Sequence, residues 1–136
     1  MYFCRKFVNM IIYFKIGNFK SVNTEVTLNF IPTSLSEHSD SNIIQDEKFP
    51  LLKSILLYGH NASGKSKLLE ALVFFRWFVN NSATENLSNK EIDVEPFELL
   101  DSSAKKPSYF EICFLLGKQK FRYGFEADKK TIHKEW

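Results

Sequence analysis

The alternation of apolar and polar residues predicts a pair of strands at the start of the chain. Residues 11–16 have the composition of a strand, and residues 25–30 alternate apolar with polar side chains. The turn-forming pair Gly17-Asn18 lies between them, so the two strands are expected to pair antiparallel. Residues 33–49 are polar and aperiodic, which predicts a surface loop with at most one short helical turn.

The middle of the chain combines an apolar run with a helical repeat. Residues 51–58 predict a buried strand, and residues 64–80 predict one helix starting at about Gly64 or Lys65. Residues 81–95 are polar and are expected to form a second surface loop. The apolar stripe of the helix repeats at spacings of three and four and consists of Leu68, Leu69, Leu72, Phe75 and Val79.

The last part of the chain contains consecutive strand-like runs. They cover residues 97–100, 108–116, 120–126 and 131–136, with a hairpin turn predicted at 117–119. Strands that follow one another without intervening helices favour an antiparallel sheet.

Length and composition indicate a packed globule that is one domain or part of one. The chain has 136 residues, is 44% apolar and contains 14 phenylalanines. Met10 is the expected start of the domain, which gives an extension at 1–9 and a domain at 10–136. The expected fold class is α/β, with antiparallel strands packed with the strand predicted at 51–58 and one main helix.

The net charge and the cysteines limit the partners and the cellular compartment that are expected for the protein. The net charge is +2 and no lysine-rich run is present, so the surface is expected to be ordinary and solvated. Cys4 and Cys113 form neither a disulfide framework nor a zinc motif, and Cys113 is expected to be buried. Reduced thiols are typical of the cytoplasm. No apolar run is long enough for a membrane span, and the start of the chain lacks the cleavage site of a signal peptide.

Residues 59–66 read Gly-His-Asn-Ala-Ser-Gly-Lys-Ser, a complete G-x-x-x-x-G-K-S phosphate-binding loop between the predicted strand and helix. The backbone amides of residues 61–65 are expected to hold the β- and γ-phosphates of a nucleotide. Gly59 and Gly64 permit the tight wrap, Lys65 reaches the phosphate oxygens, and Ser66 offers its hydroxyl to Mg²⁺.

The candidate nucleotide site extends over the loop and the first residue that follows it. Asn61 either faces the γ-phosphate or holds the loop from within, and both interpretations stay open. His60 is expected to be exposed rather than catalytic. The set is Gly59, His60, Asn61, Ala62, Ser63, Gly64, Lys65, Ser66 and Lys67.

The form G-x-N-x-S-G-K-S, followed by Leu-Leu-Glu-Ala-Leu, resembles the RecF/SMC-type division of ABC-like ATPases. Within it, the chain is similar to the bacterial AAA-type proteins grouped with OLD-family and abortive-infection ATPases. Residues 16–22, Ile-Gly-Asn-Phe-Lys-Ser-Val, are similar to that family's first strand and turn. Residues 107–112 and 121–125, and the closing Glu-Trp, are similar to its later strands.

The resemblance implies a P-loop NTPase N-terminal lobe, an incomplete ABC-like head that binds ATP and Mg²⁺. It also implies a role in bacterial defence, repair or toxin biology. In that family, two heads enclose ATP, and each composite site joins one phosphate loop to a signature motif of the other head. The implied partners are therefore the C-terminal half of the ATPase or a second head in a head-to-head dimer, with nucleic acid implied by the resemblance alone. Asn18, Lys20 and Ser21 match the early turn near the nucleotide.

The chain lacks the residues that hydrolysis requires in that family. No apolar run ends in Asp-Glu, as a Walker B strand would, and residues 97–101 imitate one poorly because Glu98 interrupts the run. No Ser-Gly-Gly-Gln-like signature is present. ATP binding without independent hydrolysis is therefore expected. The alternatives are a nucleotide-gated interaction module without turnover and a small P-loop kinase or GTPase, which would have alternating strands and helices after the loop.

Overall fold

A computed structural model describes residues 9–34, 39–44, 49–82 and 91–136. The strands are β1 (Asn9–Gly17), β2 (Val26–Asn29), β3 (Ile43–Ile44), β4 (Leu51–Leu52), β5 (Ser108–Leu116), β6 (Gln119–Ala127) and β7 (Ile132–Glu135), and the helices are α1 (Ser39–Asn42), α2 (Lys65–Asn81) and α3 (Asp101–Ala104). The larger sheet has the order β2-β1-β5-β6-β7, and every neighbouring pair in it is antiparallel. The fold is therefore a mixed α/β structure built on an antiparallel sheet.

The predicted first pair, the hairpin and the main helix are confirmed within a few residues. β1 pairs with β2, and β5 continues through a turn containing Gly117, at φ 66°, into β6. α2 covers the predicted range. β1 begins at Asn9, while residues 1–8 of the expected extension lie outside the described residues. No helix within the described ranges is long and apolar enough to cross a membrane.

A bulge in β1 determines which face each of its side chains occupies. The pairing of β1 with β5 shifts between Ile11 and Tyr13. An extra residue reverses the alternation of a strand, so Ile12 packs with Cys113 on one face while Phe14 packs under α2 on the other. Cys113 is fully buried, as expected.

Helix α2 packs on the sheet through a face of aromatic residues. Its buried side chains are Ala71, Phe74, Phe75 and Phe78, which follow the spacing i, i+3, i+4, i+7. Phe78 stacks on Phe125 of β6 with ring centroids 4.0 Å apart. Burying each phenylalanine stabilises the fold by roughly 1.5–3 kcal/mol.

The predicted apolar stripe of α2 is partly wrong. Leu69 is 58% exposed and Val79 is 41% exposed, while Phe75 is buried as predicted. The sheet presents flat aromatic surfaces, and the phenylalanines of α2 fit against them better than the leucines one position away. Leu68 and Leu72 of the predicted stripe are partly buried at the edge of the same core, whereas Leu69 faces solvent.

The predicted buried strand at 51–58 is also wrong. Only Leu51 and Leu52 form a strand, pairing with β3, while Leu56 is 74% and Tyr58 is 87% exposed. Within the described ranges, the backbone groups of residues 54–58 have no hydrogen-bond partner. A strand needs a neighbour, and among the described residues no strand of the larger sheet pairs with residues 54–58.

The predicted strand at 97–100 is a turn that leads into α3. Glu98 and Leu99 are exposed there, so the run has no buried face. Within the predicted loop 81–95, residues 83–90 lie outside the described residues. Ile92 and Val94, however, are buried in the main core, at 3% and 0% exposure.

Candidate functional site

The loop between residue 58 and α2 turns sharply into the helix. Ala62 has φ 64° and Gly64 has φ 89°, both in the left-handed region. Gly64 is also crowded, because a Cβ at that position would lie 3.2 Å from the hydroxyl oxygen of Ser21. The left-handed residue immediately before the helix aims the first amides of α2 back toward the loop.

The loop presents backbone donors without protein acceptors. Among the described residues, the amides of residues 61, 62, 64, 65 and 66 have no hydrogen-bond partner, and the Ser63 amide donates to the His60 carbonyl at 3.2 Å. No side chain caps the start of α2. Free amides and the positive end of the helix dipole together favour an anion at this point.

Lys65 lies across the mouth of the loop. Its ammonium donates to the carbonyls of Gly59 and His60 at 2.7 and 2.6 Å, and to the Ser63 hydroxyl at 3.3 Å. The cation is therefore held directly beside the free amides. A bound anion would meet both the amide dipoles and a full positive charge.

The other predicted site residues divide into two groups. His60, Asn61 and Ser66 are exposed, and Ser66 is in the first turn of α2, where its hydroxyl faces solvent. In the part of the chain that the structure describes, Asn61 makes no side-chain hydrogen bond, so it does not hold the loop from within. Lys67 is turned away from the loop and pairs with Glu70 at 2.6 Å.

The early turn packs against the loop, as the sequence resemblance implied. Ser21 contacts Gly64, and Lys20 forms an ion pair with Glu70 at 2.8 Å. Glu70 therefore holds two lysines on one carboxylate. The hydrogen bond from Lys20, followed by that from Lys67, lowers the pKa of Glu70, and the same bond from Glu70 raises the pKa of Lys20. Sequence reasoning did not identify Glu70, although its place in the second turn of the helix is visible in the motif.

The side chain of Asn18 stabilises the fold through hydrogen bonds to the segment 97–107 and not through a contact with the loop. It is 9% exposed and has φ 50°. Its amide nitrogen donates to the carbonyls of Ser103 and Lys106 at 2.9 and 2.8 Å, and its side-chain oxygen accepts from the Phe97 amide at 3.1 Å. Asn18 therefore fixes the turn that carries Lys20 against the segment 97–107.

A cleft of about 530 Å³ opens between the early turn and the phosphate loop. We call it the loop cleft. Hydroxyl and amide groups of Ser21, Asn23 and Thr24 line one side, and Leu57 and Phe97 provide apolar walls. Its size and its mixture of polar and apolar groups are those of a small-molecule site.

The described residues provide no cluster of metal-binding side chains beside the loop. Within them, no group of three or more His, Cys, Asp or Glu side chains is placed to hold a metal ion. Asp101, at the end of the discounted Walker B imitation, lies in the first turn of the short helix α3 rather than at the end of a strand. Among the loop residues, the Ser66 hydroxyl would be the protein ligand of a magnesium ion, and phosphate oxygens and water would supply the other ligands.

The sharp turn, the free amides, the lysine and the following helix define a phosphate-binding loop of the P-loop nucleoside triphosphatase class. Residues 54–136 match the family model described as "AAA domain, putative AbiEii toxin, Type IV TA system". The match covers more than half of the 136 residues, so the chain belongs to this family of AAA ATPase domains. No curated protein and no solved structure matches it.

Proposed function

We propose that the chain binds Mg²⁺-ATP through residues 59–66, as the N-terminal lobe of a RecF/SMC-like ATPase. The observation that carries the proposal is the loop itself, with its unpaired amides and the Lys65 ammonium held beside them. Membership of an AAA ATPase family supports a nucleotide as the ligand.

Different residues bind the phosphates, the metal ion and the nucleoside of the ligand. The amides of the loop and Lys65 bind the phosphates, and Ser66 offers its hydroxyl to Mg²⁺. The loop cleft next to Gly64 is the place for the nucleoside, because it continues from the phosphate site and has hydrogen-bonding groups at Ser21 and Asn23. When bound, Mg²⁺ neutralises phosphate charge.

We further propose that the chain does not hydrolyse ATP alone. Hydrolysis needs a carboxylate that orders the metal and the attacking water, and the described residues place no carboxylate cluster at the loop. Glu70, the first carboxylate after the loop in the sequence, is already paired with Lys67 and Lys20.

The proposed partner is the C-terminal half of the ATPase or a second head. The support for it is residues 54–58, whose backbone is unpaired in the described chain and whose Leu56 and Tyr58 are exposed. An exposed apolar segment with free amides and carbonyls binds a neighbouring strand readily. This segment runs directly into the loop, so pairing it would also fix Gly59.

Titration calorimetry tests ATP binding. We expect Lys65→Ala to weaken Mg²⁺-ATP binding at least about tenfold, because a charge-assisted contact to phosphate contributes more than 1.4 kcal/mol. Lys118→Ala, on the β5–β6 turn, removes the same charge away from the loop and should leave affinity unchanged. Equal affinities for the wild-type chain and Lys65→Ala would refute the phosphate-loop proposal.

A turnover assay distinguishes a split ATPase from a nucleotide-gated interaction module. The chain alone is expected to release no phosphate above background, and mixing it with a protein carrying the second half should raise turnover. Partner binding that depends on ATP without any turnover would favour the interaction module instead. GTP bound in preference to ATP would favour the GTPase alternative, which the consecutive antiparallel strands do not support.

A further inference from the structure

Four lysines that are distant in the sequence line one open cleft. Lys105 and Lys106 follow α3, and Lys129 and Lys130 lie in the turn between β6 and β7. With Pro96 and Glu98 they enclose about 560 Å³. We call this the lysine cleft. No lysine-rich run is visible in the sequence, because the fold alone brings the two pairs together.

The backbone that carries each lysine pair is fixed by hydrogen bonds. The Lys106 carbonyl accepts from the Asn18 side chain at 2.8 Å, and the Lys106 amide donates to Ser103 at 3.0 Å. The Lys130 amide donates to the Asp128 carboxylate at 2.7 Å. The positions of the four Cα atoms are therefore defined, while the side chains stay exposed.

The charges of these lysines are only partly offset by carboxylates of the cleft. Among the described residues, none of the four forms an ion pair. Of the two acidic residues in the lining, Asp128 already binds the His133 ring at 2.7 Å and two backbone amides. Both carboxylates keep their negative charge, so the lining carries four positive and two negative charges.

The lysine cleft is separate from the loop cleft. Phe97 lines the loop cleft, while its neighbours Pro96 and Glu98 line the lysine cleft. The segment 96–98 is thus a wall between the two. The lysine cleft has no glycine-rich turn and no set of inward amides, so a single small phosphate would find only mobile ammonium groups there.

We propose that the lysine cleft binds the phosphodiester backbone of nucleic acid. Lysine ammonium groups are compact point charges on flexible stems, and they suit repeated phosphates better than one ligand of fixed shape. A polyanion also releases counterions when several lysines neutralise it, which gives sequence-independent affinity. The contact would position nucleic acid beside the nucleotide site without reading bases.

Fluorescence anisotropy with a labelled DNA duplex of roughly 20 base pairs tests the proposal. We expect measurable binding at about 50 mM salt that weakens steeply toward about 200 mM. The double variants Lys105→Gln/Lys106→Gln and Lys129→Gln/Lys130→Gln should each weaken it about tenfold at low salt. Each should also reduce the slope of log K against log salt by about 2, since each lost phosphate contact removes about 0.9.

The matched control is Lys118→Gln/Lys120→Gln, which removes the same charge at the opposite end of β6, about 30 Å away at the rise of a strand. It should bind duplex like the wild-type chain, and so should Lys65→Ala, whose defect lies at the loop. Equal losses of affinity in the control and in the cleft variants would overturn the proposal. Absence of duplex binding by the wild-type chain at low salt would overturn it as well.

Two competitors test whether the lysine cleft prefers nucleic acid to free phosphates or acidic proteins. Tripolyphosphate at equal phosphate concentration should displace the duplex poorly, because it cannot contact both lysine pairs along an extended backbone. If tripolyphosphate competes as well as unlabelled duplex, the cleft is a site for free phosphates and the proposal is wrong. Lysine-dependent binding of polyglutamate that equals duplex binding would likewise assign the cleft to acidic proteins.

Discussion

Replacing Asn18 is expected to be among the most damaging single polar substitutions in the chain. The side chain is buried and has close hydrogen bonds to three backbone groups, namely the carbonyls of Ser103 and Lys106 and the amide of Phe97. Its amide nitrogen also lies 3.3 Å from the Pro107 carbonyl. No water can replace these contacts without opening the turn, because Asn18 is only 9% exposed. Asn18→Ala would leave all three groups without their partner.

The size of the effect follows from those contacts. Each of the three hydrogen bonds contributes roughly 1 kcal/mol net to stability. Alanine at φ 50° adds about 1 kcal/mol of backbone strain. We expect Asn18→Ala to lower the free energy of unfolding by about 3–4 kcal/mol.

Urea denaturation followed by far-UV circular dichroism measures this difference. Asn29→Ala is the matched control, because Asn29 makes one local hydrogen bond to the Ile31 amide at the surface, and it should cost less than about 1 kcal/mol. If Asn18→Ala is within about 0.5 kcal/mol of that control, the buried network does not stabilise the fold as argued.

Asn18→Asp gives a sharper signature. Its carboxylate keeps an acceptor for the Phe97 amide but faces the two carbonyls with an oxygen in place of the donor. The variant should be at least as unstable as Asn18→Ala near pH 7. It should recover part of the loss below about pH 4, where a protonated carboxyl can donate to one carbonyl.

Three further substitutions test separate contacts. Glu70→Gln should raise the affinity for nucleotide about two- to fivefold, because it frees two lysines near the loop, while Glu25→Gln, which removes an equal charge elsewhere, should not. Gly124→Ala should destabilise the fold by about 1–3 kcal/mol, since its Cβ would lie 2.6 Å from the Phe110 carbonyl and from the ring of Trp136. Glu111→Gln should cost about 2 kcal/mol near pH 7. Although burial raises the pKa of Glu111, the hydrogen bonds of Tyr13 and Trp136 lower it overall, so this loss should vanish as the pH falls below about 4.3. Urea titrations at several pH values check the last two.

The loop and its helix could be predicted from the sequence because their signal is local. Glycine and lysine at fixed spacing, an apolar run before and a helical repeat after are all contained in residues 54–81. The β5–β6 hairpin was equally local, with Gly117 at the turn. In each case neighbouring residues determine the conformation.

The parts that sequence reasoning missed depend on neighbours distant in the chain. An apolar run at 51–58 forms a strand only if another strand pairs with it, and the sequence of the run cannot report that. The buried face of α2 was misplaced because leucine and phenylalanine are both apolar, and only the aromatic surface of β5 and β6 decides between them. Likewise, the resemblance placed Asn18 in a turn near the nucleotide, but the partners of its side chain are backbone groups some eighty positions later.

The two proposed binding sites depend on the same buried residue. The Asn18 side chain binds the Phe97 amide in the wall of the loop cleft and the Lys106 carbonyl at the edge of the lysine cleft. The turn that begins at Asn18 also carries Ser21, whose hydroxyl lies beside Gly64 at the phosphate loop. Because one side chain fixes all three, a weakened Asn18 network should reduce nucleotide and duplex affinity together. Lys65→Ala and Lys129→Gln/Lys130→Gln should instead reduce one affinity each. That contrast would show that the two clefts bind different ligands, while the same Asn18 network stabilises both.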